Sequence, residues 1–438
     1  MWKETPADLT LKNASILPMG YWVLLFTVLF IITDVPKGAA AQSRVDSSRL
    51  AAEVKESVIW LEQEAQRLVR ACRRELPNGQ VVFPPQLGAG YEAFWLRDFA
   101  YMLEGVPTAF TLEEVRQAVR LFAKAQRADG ACVDCVAFDG RPIYQPGFGT
   151  MGENPVADGS QFYIDIVYHA YHKLEDKQIL EELWSSLERA FRALPRHPKT
   201  GLVWIDPERA WDRCPYGFTD TVRKQGAELF SSLLLVQTLR QMSELASVRG
   251  KPALTAEYAA QAAEVSAQIR EVFWDARQGL FLAATAKCRQ PDIWGSAFAV
   301  FLDVASPEQA RLIANYFRHH YHGLVENGQV RHLPPGLVWE EACPPGEYQN
   351  GGFWGVPTGW FAFTLDLADS ELADQTIVDL VRFYRQYGCV EWSRGQRRQL
   401  PGYVASAAAP LPAIRAMFRR RGENAHTSCD SLRLAPCQ

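Results

Sequence analysis

The feature that most constrains the fold is helical periodicity, which runs from residue 46 to about residue 418. Within residues 50–72, apolar side chains step by four and three positions, at Val54, Val58, Leu61, Ala65 and Leu68. That spacing draws one stripe along a helix, and the stripe is buried when it packs against a neighbour. The same pattern predicts about twelve helices, near 46–74, 92–105, 111–126, 160–174, 177–193, 225–247, 254–273, 294–302, 306–318, 354–368, 371–386 and 402–418.

Long loops rich in Gly and Pro follow every second predicted helix. They lie near 75–91, 129–159, 197–224, 276–293, 323–353 and 388–402. Pairs of helices that close a circle would bring these loops to one rim. The sequence therefore predicts an all-α fold, an (α/α)6 toroid of six helical hairpins, as one domain over residues 42–418 with a polar tail at 419–438. A stacked superhelix of helix pairs is the alternative, although the chain has no repeat of fixed period.

The first 41 residues have the features of a signal peptide. Residues 21–32 form an apolar run that is shorter than the about 20 residues needed to span a bilayer. Three alanines at 39–41 then supply an A-x-A cleavage site. The long stretch before the run makes Met19 an alternative start, and an uncleaved anchor is the alternative to cleavage. We expect an exported protein, periplasmic or extracellular, with no membrane contact once the signal is removed.

Charge and cysteine content exclude several classes of partner. The chain has 46 Lys and Arg against 50 Asp and Glu, a net charge of −4, which gives no basic stripe for nucleic acid. Nine cysteines are too scattered for a disulfide framework, although Cys132 with Cys135, or Cys429 with Cys437, could form a local disulfide. Neither a metal-ligand cluster nor a phosphate-binding loop stands out, so we expect no metal and no cofactor. The oligomeric state stays open.

Acids, amides and aromatics crowd into four segments, which start near Tyr91, Phe218, Glu347 and Val390. Cleaving a glycosidic bond needs one carboxyl group that donates a proton and a second that stays ionised. Asp98 has the apolar neighbours that favour a proton donor, whereas Glu391 lies in a polar segment suited to ordering water. Asp98 could instead be a helix N-cap and Glu391 a surface acid, and Glu347 is an alternative base.

Further residues around these acids are candidates for substrate binding. Aromatic rings can stack on sugars or pack in the core, Asp158 can bind hydroxyls or cap a helix, and Lys224 can favour an acidic sugar or stay solvated. The candidate substrate-binding residues at this point are Trp95, Arg97, Asp158, Lys224, Gln225, Trp294 and Trp392.

Several motifs resemble those of six-hairpin glycosidases. W-L-R-D-F, ending at Phe99, resembles the V-R-D-F of neutral/alkaline invertases, and the Y-Q-N-G-G-F-W segment that ends at Trp354 is similar to their Y-x-N-G-G-x-W. The segment after Glu391 resembles the one that carries their general base. The resemblance, scattered over residues 45–418, extends to trehalases, processing α-glucosidases and mannosylglycerate hydrolases. Gly355 and the residues after it depart from the usual W-P, and the motif flanks differ, so sucrose specificity is not implied.

The resemblance implies inverting chemistry with Asp98 as the general acid and Glu391 as the general base. It also implies that Asp220, Glu228, Gln349, Asn350 and Trp354 contact the sugar. The sequence thus predicts a glycoside hydrolase acting on an oligosaccharide or a chain end. The alternatives are a polysaccharide lyase or sugar epimerase on the same fold, and a non-catalytic glycan-binding toroid.

Overall fold

The computed structural model describes residues 37–88, 90–144, 156–208, 219 and 221–422, with side chains from residue 48 onward. The predicted signal peptide lies almost entirely outside these residues, as do Asp220, Cys429 and Cys437. The chain divides into a short unit up to Val45 and a large unit from Asp46 onward, and the large unit contains nearly all of the described residues. In the described part, no helix is both long enough and apolar enough to cross a membrane.

Helices dominate the described residues. In chain order they are α1 (Lys37–Cys72), α2 (Leu96–Gly105), α3 (Leu112–Lys124), α4 (Gly159–Leu174), α5 (Lys177–Arg192), α6 (Leu229–Val248), α7 (Pro252–Val272), α8 (Ile293–Phe301), α9 (Pro307–Leu324), α10 (Thr358–Leu365), α11 (Ser370–Tyr387), α12 (Ala405–Ala408) and α13 (Pro410–Arg420). Each predicted helical segment matches one of them, except that the last is divided into α12 and α13. Pro410 lacks a backbone N–H and stands at the first position of α13.

The helices form an inner and an outer ring. The even-numbered helices α2 to α10 are buried nearly all round, whereas α3, α5, α9 and α11 keep one polar face exposed. Each inner helix contacts the next, and α12 and α13 contact α2, so the ring is closed. Closure confirms the (α/α)6 toroid and excludes the open superhelix.

All strands in the described residues lie in the long connections that lead from an outer helix to the next inner helix. They are β1 (Arg74–Glu75), β2 (Val81–Val82), β3 (Ala93–Trp95), β4 (Cys135–Ala137), β5 (Pro142–Ile143), β6 (Trp204–Ile205), β7 (Gly226–Ala227), β8 (Trp274–Asp275), β9 (Leu280–Phe281), β10 (Val325–Glu326), β11 (Gln329–Arg331), β12 (Phe353–Trp354), β13 (Trp392–Arg394) and β14 (Arg397–Gln399). The connections back from inner to outer helices are short. The two ends of the toroid therefore differ, and the elaborated rim is where the inner helices begin.

The largest sheet holds two of these connections together. It has the order β10-β11-β12-β13-β14, all antiparallel, and pairs Trp354 with Trp392. Because β12 precedes α10 and β13 precedes α12, this sheet joins the loops of the last two hairpins. Its strands are two or three residues long and leave no periodic signal in the sequence, so this sheet is a structural finding.

Helix starts agree with the local sequence signals. Thr111 and Glu114 form a reciprocal capping box at the start of α3, and Ser306 with Gln309 does the same for α9. In each box, a side-chain oxygen accepts a bond from a backbone N–H that the helix itself cannot satisfy. These caps fix where the outer helices begin, and so fix the length of the short connections before them.

Candidate active site

Acidic side chains gather where the inner helices begin. Asp98 lies in the first turn of α2, and the N-cap residues of α4, α6 and α8 are Asp158, Glu228 and Asp292. Glu391 directly precedes β13, in the connection to α12. Because inner helices of such hairpins run in the same direction, these acids share the elaborated rim, as the sequence predicts.

Asp98 is a buried acid held by a tyrosine. The Tyr403 hydroxyl donates a hydrogen bond of 2.6 Å to Asp98 Oδ1, and Asp98 is 7% exposed. Trp95, not Asp98, is the N-cap of α2, so the interpretation of Asp98 as a capping residue is wrong. Burial raises the pKa of Tyr403 well above its ordinary value, and the neighbouring Asp98 charge acts in the same direction. The hydroxyl therefore keeps its proton and remains a donor at any ordinary pH.

Glu391 is also buried, at 3% exposure, which excludes its interpretation as a surface acid. The Tyr91 hydroxyl donates a short hydrogen bond to Glu391 Oε1, and the Tyr348 hydroxyl lies 3.4 Å from the same oxygen. Tyr348 has φ of 44°, a left-handed conformation that tyrosine rarely adopts. That backbone is held because the Tyr348 carbonyl accepts bonds from the Gly352 N–H and the Trp354 indole.

Two tyrosines bring the acids together. The rings of Tyr91 and Tyr403 stack with centroids 6.0 Å apart, and each hydroxyl holds one of the two carboxyl groups. Asp98 and Glu391 therefore each accept a hydrogen bond from one member of the same tyrosine pair, although 293 positions separate them in the chain. The sequence segments include both tyrosines, but nothing in their spacing distinguishes them from other aromatics.

The alternative base occupies a different environment. The Glu347 side chain is 43% exposed and pairs with Arg397 at 2.8 Å. An exposed, paired carboxylate has bulk-like hydration, so it is less suited than Glu391 to work in a dry pocket. Of the two acids, only Glu391 is buried.

Half-buried Arg97, the residue before Asp98, forms an ion pair with buried Asp158. The guanidinium lies 3.0 Å from Asp158 Oδ2 and 5.7 Å from the centre of the Phe162 ring. Burial raises the pKa of Asp158, and the Arg97 charge opposes that shift. Asp158 makes no side-chain cap to α4, so the interpretation of Asp158 as a capping side chain is wrong. The pair instead joins the start of α2 to the start of α4.

Lys224 and Glu228 are paired under the rim and have no exposed side-chain surface. Glu228 also accepts bonds from the backbone N–H groups of Phe230 and Ser231, which caps α6. The expectation that Lys224 faces an acidic sugar, or stays solvated, is therefore wrong, because its ammonium group is fully buried and paired with Glu228. Gln225 is buried as well, and its backbone N–H bonds the Lys287 carbonyl.

Gln349 and Asn350 use their amides within the protein. Gln349 Oε1 accepts bonds from the Thr221 N–H and hydroxyl, at 3.1 and 2.8 Å. Asn350 bonds the Trp339 N–H through its oxygen and the Cys343 carbonyl through its nitrogen. Both side chains shape the loop before α10, and neither is placed as a direct sugar contact. Asp220, which precedes Thr221, lies outside the described residues.

The four candidate tryptophans are not equivalent. Trp294 is 1% exposed, and His332 stacks on it with centroids 4.0 Å apart, so its face is unavailable to a sugar. Trp354 and Trp392 are 5% and 4% exposed and pack in the five-stranded sheet. Trp95 is only half-buried, contacts the Tyr91 ring at 5.5 Å, and its indole N–H finds no partner among the described residues. Trp95 is therefore the tryptophan best placed to meet a ligand.

His332 and Asp292 form a further pair that the sequence analysis misses. The His332 Nε2 atom lies 3.1 Å from Asp292 Oδ1, and both residues are fully buried. Burial lowers the pKa of His332, with the Asp292 charge opposing it. No local motif marks the pair, because Asp292 caps α8 whereas His332 belongs to a later connection.

The described cysteines carry no cross-link. Cys132 and Cys135 are buried free thiols, so the local disulfide considered for this C-x-x-C is absent. Within the residues that the structure describes, no group of His, Cys, Asp and Glu is arranged to hold a metal ion.

One family model matches the chain. It describes the mannosylglycerate hydrolase MGH1-like glycoside hydrolase domain and matches residues 91–319, just over half of the chain. No curated protein sequence matches.

Solved structures with this fold include several glycosidases. A rhamnosidase from Klebsiella oxytoca with rhamnose bound has a TM-score of 0.60 and 20% identity, over 84% of this chain and 64% of its own. A GH78 rhamnosidase of Bacillus sp. GL1 has a TM-score of 0.55 and 15% identity, over 83% of this chain and 34% of its own. The chain thus spans less than two thirds of either rhamnosidase. A GH63 mannosylglycerate hydrolase from Thermus thermophilus in complex with glucose has a TM-score of 0.59 and 19% identity, over 82% of this chain and 100% of its own. At these identities the likeness is one of fold.

Proposed function

The chain belongs to the mannosylglycerate hydrolase MGH1-like family of glycoside hydrolase domains, and from that premise we propose that it is an inverting glycoside hydrolase. Its substrate is an oligosaccharide or the end of a glycan chain. Asp98 is the general acid and Glu391 the general base.

One observation carries this proposal. Two buried carboxyl groups, from opposite ends of the domain sequence, flank a stacked tyrosine pair and each accepts a hydroxyl hydrogen bond from it. Inverting hydrolysis needs two carboxyl groups about 6.5–9.5 Å apart, with room for one water between the base and the sugar. The two tyrosine rings whose hydroxyls bond these acids have centroids 6.0 Å apart, so we expect the separation of the carboxyl groups to fall in that range.

The chemistry follows from the two roles. Asp98 donates its proton to the glycosidic oxygen as the bond to the anomeric carbon breaks. Glu391 removes a proton from the water that attacks the opposite face of that carbon. The Tyr91 hydroxyl fixes the orientation of Glu391 and the Tyr403 hydroxyl that of Asp98. Half-buried Trp95 supplies an aromatic edge for the sugar.

The test compares three variants on a panel of aryl glycosides. We expect Asp98→Asn and Glu391→Gln each to remove nearly all turnover, because each amide keeps the shape but loses the proton chemistry. Glu347→Gln is the matched control, since it alters an exposed acid of the same rim. Thermal midpoints close to that of wild type would show that the variants are folded and that the lost turnover reflects lost proton transfer.

Leaving-group dependence then separates the two roles. Asp98→Asn should recover up to about 10²–10⁴-fold with a leaving group that departs unprotonated, because general acid assistance is typically of that size. Glu391→Gln should gain little from such a leaving group. Near-normal activity of both variants would refute the pair, and binding of glycans without turnover in wild type would favour a glycan-binding protein. A product absorbing in the ultraviolet would identify a lyase.

For the cellular location, we propose export through a cleaved signal peptide. The support is the apolar run at 21–32 followed by the A-x-A site. Amino-terminal sequencing of the protein from its native host should start near residue 42, and a start at residue 1 or 19 would exclude cleavage.

A further inference from the structure

The loop that brings Tyr348 to Glu391 has a backbone conformation that needs outside support. Tyr348 lies in the left-handed region, with φ of 44°, and such a backbone persists only where surrounding contacts hold it. Its hydroxyl lies 3.4 Å from Glu391 Oε1, which is longer than a strong O–H···O bond. Contacts of this kind are often long without substrate and tighten in the reacting complex. The position of the hydroxyl therefore depends on what holds the Tyr348 backbone.

Two tryptophans hold consecutive carbonyl groups at this point. The Trp354 indole N–H donates to the Tyr348 carbonyl at 3.2 Å. The Trp339 indole N–H donates to the Gln349 carbonyl at 3.0 Å. Trp339 precedes the loop and Trp354 follows it, so the loop is held from both of its ends. We call these two side chains the indole clamp.

The indole clamp belongs to a cluster of rings at the start of α8. His332 stacks on Trp294, with centroids 4.0 Å apart and planes inclined by 7°. Trp339 meets the His332 ring edge to face at 4.7 Å, and Trp354 meets the Trp294 ring in the same way at 5.8 Å. Asp292, the N-cap of α8, lies 3.1 Å from His332 Nε2 and fixes that ring. The clamp is therefore held in place relative to an inner helix.

Neither indole of the clamp is available to bind a sugar by hydrogen bonding. An indole has one donor and no acceptor, and each of these donors is used on a backbone carbonyl. Trp339 and Trp354 are also only 3% and 5% exposed. Any effect of these side chains on the reaction must therefore pass through the loop that they hold.

We propose that Trp339 and Trp354 are positioning residues for the general base. Their N–H groups hold the loop so that the Tyr348 hydroxyl stays beside the Glu391 carboxylate. The Tyr91 hydroxyl donates to the same oxygen, so two tyrosines together restrict the rotation of that carboxylate. This inference rests on the proposed function, because it gives the clamp a role relative to Glu391. A base that is turned away from the attacking water loses rate without losing affinity for the sugar.

Two conservative variants test the clamp, since Trp354→Phe and Trp339→Phe each remove one indole N–H and keep an aromatic ring. On an aryl glycoside that wild type hydrolyses, each should lower kcat by roughly 3- to 10-fold, the worth of one hydrogen bond, and leave KM within about twofold. Trp184→Phe, at a buried tryptophan of the outer helix α5, is the matched control and should keep the wild-type kcat. Hydrogen–deuterium exchange of residues 347–353 should be faster in both clamp variants and unchanged in the control.

A double-mutant cycle shows whether the clamp acts through the Tyr348 hydroxyl. Tyr348→Phe removes that hydroxyl, keeps the ring, and should lower kcat at least as much as either clamp variant. Adding Trp354→Phe to Tyr348→Phe should then change kcat by less than about twofold, the usual error of such a cycle. A tryptophan that only supports the fold would instead lower kcat by the same factor in both backgrounds.

Three results would overturn the inference. They are unchanged kcat and KM in both clamp variants, a raised KM with unchanged kcat, which would identify a sugar contact, and equal effects of Trp354→Phe in the two backgrounds. Failure of the proposed function looks different, because wild type then lacks turnover or Glu391→Gln keeps it, and either result removes the base and this inference with it. Each Phe variant tests the clamp by itself, so a lost thermal transition in one leaves the other decisive.

Discussion

Replacing Glu104 with Gln should change how the stability of the ligand-free protein depends on pH. The folded-state pKa of Glu104 is raised by burial from 4.5 to about 7. The folded protein therefore holds a proton that the unfolded chain releases, and stability falls as the pH rises from about 4.5 to about 7. Below that window Glu104 is protonated in both states, and above it the full penalty of a buried charge applies.

The size of the effect follows from the shift. A displacement of about 2.5 pKa units at 1.36 kcal/mol each sets a ceiling of about 3 kcal/mol. Because Glu104 is partly exposed and water reaches it, we expect about 1–3 kcal/mol. For a domain of this size, that corresponds to a thermal midpoint on the order of 2–4 °C higher in Glu104→Gln at pH 8.

The assay is a set of thermal unfolding scans between pH 5 and pH 8.5. The informative quantity is the slope of the thermal midpoint against pH. The midpoint itself is less informative, because the introduced amide can also bond neighbouring buried oxygen atoms and raise stability at every pH. Burial lowers the pKa of His169 but the Asp165 charge outweighs it and raises that pKa, so His169 contributes a fall of its own in both proteins. Parallel curves for wild type and Glu104→Gln would refute the reasoning, and Glu113→Gln should run parallel to wild type.

Three other outcomes follow from the site. Lys224→Met should lower stability by about 3–5 kcal/mol, because it leaves Glu228 charged and unpaired in the interior; an unchanged thermal midpoint would contradict the buried pair. Trp354→Ala should cost about 3–5 kcal/mol of stability, whereas Trp95→Phe should weaken substrate binding several-fold with little change in midpoint. A chelator should leave turnover unchanged, and restoration of lost activity by a divalent ion would disprove this.

Helix pattern and loop spacing were enough to predict the architecture. Apolar stripes define each outer helix, and capping boxes at Thr111 and Ser306 mark two of their starts. The alternation of long and short connections indicates which ends of the helices share a rim. These signals are local, so a single sequence carries them. The five-stranded sheet escapes prediction because strands of two or three residues have no measurable period.

The contacts within the site could not be predicted, because they join distant positions. Tyr91 meets Glu391 across 300 residues, and Tyr403 meets Asp98 across 305. The burial of Lys224 depends on residues from other elements that pack over its side chain, and the local sequence does not show them. A lysine four residues before a glutamate matches an exposed helix pair as well as a buried one. The sequence therefore predicts segments whose acids share one rim of the toroid, and it misassigns the environment of several side chains in them.

In the proposed mechanism, two effects act in opposite directions on the protonation state of Asp98, and the arrangement of the helices is the source of one of them. Each inner helix directs the positive end of its dipole at the rim, which favours ionised acids in the first turn. Three acids at helix starts are consistent with this. Asp158 pairs with Arg97, Glu228 with Lys224 and Asp292 with His332. Asp98 is in the first turn of α2 as well, and there the dipole and the Tyr403 hydroxyl both favour the carboxylate over the protonated acid.

Burial acts in the other direction on Asp98, because a carboxylate at 7% exposure loses most of its hydration. Glu391 precedes a strand and has no helix dipole to stabilise its charge, yet a general base must be ionised. In the mechanism proposed above, a sugar that displaces water from Asp98 favours the protonated acid still further. Proton donation by Asp98 in that mechanism therefore depends on the exclusion of water by the substrate. If Asp98→Asn gains nothing from an activated leaving group, the dipole has kept Asp98 ionised, and Asp220, which precedes Leu229 by nine residues in the sequence, becomes the residue to replace.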